Sequence, residues 1–382
     1  MSYKICIYAI CKNELKFVQQ WIENVSEADY IVVLDTGSTD GTYEALQADP
    51  RVTLVQQEVI NPWRFDVARN RSMELIPEDA DILVCTDFDE LFEPGWAQVL
   101  RDNWDPTQYN RAHYQYYWQH NDLGEPQDSF IYDKVHTRDF HWHYPIHEVL
   151  WPNDKTVEPH FLELQDKIIL HHWQDKDKSR ASYEPLLKLA CEEYPEDSHI
   201  HLLYAREKLL YHRYDEAIEE YQRVLLMPDI KTPSKRLVLL DAHYQIAQCF
   251  YGIGDYWEVL SYCQDFIYID PTYRDPYFLM AEAYISLKLN TLAESAVLAG
   301  LKYGVRHNTW VETANAWLGW SDHLLGIIYY NLDNYLLSLK HFQKALEHEP
   351  NDVSLLQQYN SALQVAYNNA LQRQQTNLEK ID

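Results

Sequence analysis

The sequence is short of basic residues. Its 32 lysines and arginines face 59 aspartates and glutamates, a net charge of −27, which disfavours long polyanions and so excludes nucleic acid as a direct partner. A small anionic ligand can still bind if a cation escorts it. No C-x-x-C pair occurs among the six cysteines, Cys6, Cys11, Cys85, Cys191, Cys249 and Cys263. Several sit inside apolar runs, where cysteine acts as a small hydrophobe, and the expected compartment is reducing. No stretch approaches the ~18 uninterrupted apolar residues of a membrane span, and Met1-Ser2-Tyr3-Lys4 leads into a strand pattern rather than a signal h-region. A cytoplasmic protein without a membrane span is expected. Also missing are a G-x-G-x-x-G fingerprint and a G-x-x-x-x-G-K-[ST] loop, so neither a dinucleotide Rossmann site nor a P-loop is predicted.

What is present is length and aromatic content. At roughly 150 residues per domain, 382 residues suffice for two domains with real cores. Thirty tyrosines and twelve tryptophans serve packing, sugar stacking or both.

The first half alternates strand and helix patterns. Ile5 to Ile10 is a buried-strand run, and Val18, Trp21, Ile22 and Val25 then recur at helical spacing. Tyr30 to Leu34 is the next strand, ending at Asp35 and entering Thr36-Gly37-Ser38-Thr39-Asp40-Gly41-Thr42, a turn rich in capping side chains. Val52 to Val55 reads as a third strand, Phe65 to Ile76 as a helix and Asp81 to Thr86 as a fourth strand. This order predicts a mostly parallel, Rossmann-like sheet with helices on both faces, whose ligands bind beyond the carboxyl ends of the strands. Asn13, Asp35 and the Asp87/Asp89 pair would then face one crevice. Alternation along a strand would make Asp87 and Asp89 converge, and converging carboxylates are a natural seat for a divalent cation.

Four segments in order carry a resemblance: Ile10-Cys11-Lys12-Asn13-Glu14, Val33 to Thr42, Phe65-Asp66-Val67-Ala68-Arg69-Asn70 and Asp87-Phe88-Asp89-Glu90. Together they resemble the inverting GT-A glycosyltransferases of family two. Bacterial members with an attached tetratricopeptide (TPR) domain are the nearest in kind, among them the S-glycosyltransferases of bacteriocin peptides. The resemblance implies that Asp35 bonds the base of a UDP-sugar, that the Ile10 to Asn13 segment lines the nucleoside pocket, and that Glu14, Asp87 and Phe88 are also among the donor-binding residues. It implies that Arg69 approaches phosphate or sugar hydroxyls. Asp89, with Asp87 directly or through water, would hold Mn²⁺ or Mg²⁺ on the diphosphate, stabilising charge on the leaving group. Taken singly, Asp35 also fits a turn cap and Arg69 a helix-face ion pair.

From Trp104 to Trp173 aromatics and histidines crowd the sequence, most of them fit for packing. Pro145-Ile146-His147-Glu148 and Ile169-Leu170-His171-His172 are similar to segments of the TPR-linked transferases. By that resemblance a histidine downstream of the D-x-D joins the metal, with His171 the candidate ahead of His147; imidazole suits Mn²⁺ at a mixed site. An inverting displacement also needs a base. Position points to Glu148, followed by His147 and Asp133, although a thiol acceptor needs little base strength.

Beyond Lys176 helical periodicity takes over. Leu325-Gly326, Tyr329, Ser338, Phe342, Ala345 and Pro350 match the TPR pattern. Weaker copies align on it, with Ala217, Val259, Ala293 and Ser338 equivalent and 42, 34 and 45 residues apart. The longer intervals predict insertions at 228–236 and 305–319 in a repeat of about 34 residues. Stacked helix pairs form a concave surface for peptides or partner chains.

The expected organisation is a GT-A domain over residues 1–175, an all-α TPR-like solenoid over 176–371 and a polar tail over 372–382. The expected function is a metal-dependent inverting transfer of a hexose from a UDP-sugar to a peptide or protein side chain presented by the solenoid, with pairing of the chain into a homodimer as the solenoid's second role. A glycan or lipid-linked sugar is the alternative acceptor. A catalytically dead TPR scaffold is the alternative class.

Overall fold

Buried apolar strands build the centre of the first half. In the computed structural model, which describes residues 3–120, 124–126, 128–175, 180–307 and 309–378, with side chains through Gln372, β1 (Ile5–Cys11), β2 (Tyr30–Asp35) and β4 (Ile82–Cys85) are buried along most of their lengths. Strands covered on both faces show no apolar and polar alternation. The third strand, β3 (Leu54–Gln57), starts two residues later than predicted and lies at an edge. Further along come β5 (Glu90–Phe92), β6 (Arg111–Tyr117), β7 (Ser129–His136), β10 (Phe161–Glu163) and β11 (Ile169–His172). They complete a mixed, mostly parallel sheet of order β3-β2-β1-β4-β7-β6-β11-β5, with β10 added on β6.

Register explains why distant motifs meet. Parallel pairing sets Cys11 opposite Asp35, and Tyr8 opposite Cys85, so the tips of β1, β2 and β4 end on the same side of the sheet. Helix α1 (Leu15–Val25) buries Val18, Trp21, Ile22 and Val25 on one face, as its spacing predicted, beside α2 (Thr42–Ala48) and α4 (Trp96–Asn103). The other face is covered by α3 (Phe65–Met73), shorter than the predicted 65–76, and by the hairpin of β8 (Phe140–His143) and β9 (Val149–Pro152). Beneath that hairpin Trp142 Nε1 donates to the Tyr8 hydroxyl at 2.8 Å, and Tyr8 lies 2.6 Å from His136 Nε2. His136 Nδ1 lies 2.6 Å from the Thr137 carbonyl, so one tautomer, protonated on Nδ1, satisfies the whole chain of bonds.

The chain divides into two compact units, Met1–Tyr194 and Pro195–Asp382, with α5 (Tyr183–Glu193) in the first. The second unit is helical. It pairs α6 (Ser198–Leu210) with α7 (Tyr214–Leu226), α8 (Arg236–Ile253) with α9 (Tyr256–Ile269), α10 (Asp275–Ser286) with α11 (Asn290–Gly300), and α12 (Trp320–Asn331) with α13 (Tyr335–His348). Ala217, Val259, Ala293 and Ser338 are each fully buried, the equivalence that the repeat alignment expects. Gly326 shows why the pattern demands small residues: a Cβ there would lie 2.5 Å from the Phe342 ring. The two longer intervals hold short 3₁₀ turns, at Pro228–Lys231 with Pro233–Lys235 and at Ala314–Trp317. Helix α14 (Val353–Leu378) closes the unit and runs well into the segment read as a polar tail, whose residues 379–382 lie outside the described residues. Among the described residues no helix is long and apolar enough to cross a membrane.

Candidate active site

Asp35 is the last residue of β2 and is fully buried under the turn that follows it. Its Oδ1 accepts the Gly37 and Ser38 backbone N–H groups at 2.9 and 2.8 Å and the Gln57 side-chain amide at 3.0 Å. Burial alone would raise this carboxyl; the bonds from Ser38, Gln57 and Gly37 outweigh it and hold the group below the usual carboxylate range. Gly37 has φ +107°, a backbone state that favours glycine. The Oδ2 atom lies 3.5 Å from the Cys11 thiol.

The loop after β1 is tied to the same turn. Asn13 adopts φ +59°, which asparagine tolerates. Its N–H donates to Ser38 Oγ and its side-chain oxygen accepts the Thr39 N–H, both at 2.8 Å. The buried Glu14 donates its N–H to Thr42 Oγ1 at 2.9 Å. Ile10 lies half-buried opposite Leu34. The Ile10, Asn13, Glu14 and Asp35 segments are therefore brought together as expected.

Past β4 the chain turns before β5, so Asp87 and Asp89 do not sit on a strand. Instead of converging as strand alternation predicts, the two carboxylates take different partners. Asp87 accepts from Arg69 at 2.9 Å and from Lys134 Nζ at 3.2 Å. Arg69, buried on α3, also donates to Glu148 and to the Cys85 sulfur, and lies over the Trp142 ring. Lys134, buried on β7, reaches Glu90 at 3.1 Å, and Glu90 in turn accepts the Tyr116 hydroxyl at 3.0 Å and the Asp87 N–H at 2.9 Å. Burial opposes the charge on both cations, and the surrounding carboxylates prevail, keeping Arg69 and Lys134 protonated. For Glu90 burial prevails and its carboxyl is raised.

Asp89 faces the other way, toward β11, where His172 Nε2 lies 3.6 Å from its Oδ2. Burial pulls the imidazole down, but the hydrogen bond and charge of Asp89 raise it. Trp118 stacks on His172 at 4.6 Å.

Several expected site residues stand elsewhere. The histidine at Asp89 is His172 rather than His171, because neighbours on a strand point to opposite faces; His171 meets His120 Nε2 at 2.9 Å and Glu93 at 3.4 Å. Phe88, expected among the donor-binding residues, is 2% exposed and stacked on Trp21 at 4.3 Å, so its ring belongs to the core. Asp133 pairs with Arg111 at 2.8 Å, while Lys134 beside it on β7 serves the acidic cluster. His147 is exposed at φ +51° in the β8–β9 turn, near the Tyr183 ring. Glu148, from the same turn, does join the site through Arg69.

The sequence reading missed Lys134, His172 and Gln57. The signal for Lys134 was the alternation of Tyr132, Lys134 and His136, which puts a lone cation on the inner face of an aromatic strand. For a metal, the fit is a two-ligand edge. Among the described residues no group of three or more His, Cys, Asp and Glu forms a preformed cage, Asp87 is occupied by two cations, and Asp89 with His172 makes a mixed oxygen and nitrogen pair of the kind Mn²⁺ accepts.

The parallel strand tips thus gather a backbone-bound carboxylate and an acidic turn, and a helical solenoid follows in the chain. Residues 6–160 match the family model described as Glycosyl transferase family 2. The first unit is thus a family 2 glycosyl transferase domain, and the second is a TPR-like solenoid. Among solved structures the chain is similar to TTC0263, a TPR protein of Thermus thermophilus, at 22% identity over 47% of this chain and 88% of that one, with TM-score 0.34. It is similar to MamA at 16% identity over 48% and 91%, with TM-score 0.36. It is also similar to YrrB, described as a TPR protein with an unusual peptide-binding site, at 14% identity over 48% and 84%, with TM-score 0.36. No curated protein matches the chain.

Proposed function

We propose that the chain is a metal-dependent inverting hexosyltransferase that uses a UDP-sugar and acts on a peptide or protein side chain held by the solenoid. The observation that carries it is Asp35: a buried carboxylate held below its usual range by the Ser38 side chain and by three donors on one oxygen, while the other oxygen lies at the longer distance of 3.5 Å from the Cys11 thiol, a weak donor. Such a group is an acceptor suited to the imide N–H of uracil. The Asn13 turn would flank the nucleoside.

Asp89 and His172 would hold the divalent cation, Mn²⁺ or Mg²⁺, whose chemistry is to stabilise negative charge on the departing diphosphate. Arg69 and Lys134 keep Asp87 neutralised next to that site, which lowers the repulsion a diphosphate would meet in a chain of net charge −27. Glu148 remains the proposed base. Its bond to Arg69 orients it, and with a thiol acceptor only weak basicity is needed. The thiols of Cys6, Cys11, Cys85, Cys249 and Cys263, buried in the two cores, support placing the chain in the reducing cytoplasm.

The test is release of UDP from UDP-sugars in the presence of Mn²⁺ and candidate peptides, with Asp35→Ala and Asp89→Ala alongside. Turnover that both substitutions abolish is expected. No release with any sugar, or activity indifferent to both changes, would overturn the proposal.

A further inference from the structure

Helix α14 carries two apolar faces and a polar one, where packing on α13 uses a single apolar face. Leu355 and Ala362 are buried and pack on α13 with Phe342 and Ala345. About a quarter-turn or more away, Val353, Leu356, Leu363, Tyr367 and Leu371 stay exposed, at 66, 37, 46, 59 and 40%. At about 100° per residue these five, with Asn360 and Ala370, fall within a stripe about 100° wide and some ~27 Å long. That is the width of a face made to be covered.

Charge identifies what covers it. From Val353 to Gln372 there is no Asp, Glu, Lys or Arg, a gap of twenty residues in a chain whose net charge is −27. A helix lying on a membrane would carry Lys or Arg along its polar face; here that face holds Ser354, Gln357, Ser361, Gln364 and Asn368. A basic partner would seek the acidic surface elsewhere. Two copies of this chain repel one another everywhere except on an uncharged patch, and an isologous contact must be complementary to itself. The stripe satisfies that condition: paired antiparallel about its centre, it brings Leu363 close to its own copy and sets Asn360 on Tyr367 and Leu356 on Leu371.

We propose that α14 is a dimerisation helix, and that two copies of the chain pair antiparallel through Leu356, Leu363, Tyr367 and Leu371. The inference does not depend on the transferase proposal. Light scattering on the full chain after size exclusion should give twice the chain mass. Leu363→Glu with Tyr367→Glu should give the chain mass at micromolar concentration, with an unchanged circular dichroism spectrum. Gln364→Glu with Asn368→Glu, on the polar face, should leave the dimer intact. Leu363→Cys should form a self-disulfide on mild oxidation, whereas Gln357→Cys should not. A wild-type monomer overturns the proposal, as does a dimer that survives the Leu363/Tyr367 change. Should the double glutamate variant unfold, the cysteine cross-link decides: its absence counts against the pairing and its presence for it.

Discussion

Lys134 and Asp87 stand 47 residues apart in sequence and meet at 3.2 Å, with the lysine ammonium shared with Glu90 at 3.1 Å. The Lys134 and Glu90 side chains are 6% and 2% exposed, so neither charge is screened by water. Removing the cation strands a buried carboxylate, which costs about 3–5 kcal/mol. Lys134→Met should lower stability by that amount in urea denaturation, and Lys134→Met with Glu90→Leu should recover part of it, since the pair is then absent rather than broken. A loss below about 1 kcal/mol for the single change would show that Lys134 does not hold the turn.

The two adjacent histidines should behave differently. His172 faces Asp89 and His171 faces Glu93. With UDP and Mn²⁺ added, His172→Ala should shrink the ligand-induced rise in Tm, a tenfold weaker affinity corresponding to about 1.4 kcal/mol less stabilisation. His171→Ala should leave the rise unaltered. Equal effects from both would contradict the assignment.

His136 sets an acid limit on the first unit. Burial pushes its imidazole from 6.5 down to about 3, so the fold holds it neutral while the unfolded chain protonates it near 6.5. Its contribution is whole above about pH 6.5 and is lost as pH falls from there toward about 3, at about 1.4 kcal/mol per pH unit. A His136→Gln variant should show a shallower decline in unfolding free energy across that window. Parallel curves for the two proteins would refute this.

In the solenoid, Gly326→Ala forces a methyl against the Phe342 ring at 2.5 Å, and overpacking of this kind costs about 1–3 kcal/mol. Gly304→Ala, with no atom within 4 Å of its Cβ, serves as the control. Thermal unfolding should separate them by several degrees.

Local pattern alone determined much of this protein. Buried β-prone runs ending at Cys11, Asp35 and Cys85 specify strands whichever way the rest folds, and the Asp35 and Asp40 side chains close their own turn within a few residues of the end of β2. Small residues at Ala217, Val259, Ala293 and Ser338 likewise specify helix pairing through close approach. Tertiary structure decided what the charged groups do. Asp87 turns to Arg69 and Lys134, 18 and 47 residues away, and Asp89 meets His172 only because β11 enters the sheet antiparallel to β5. Partners so distant in the chain leave no periodic trace, and a one-residue choice of strand face, His172 over His171, is made by sheet register, which the composition of four residues cannot express.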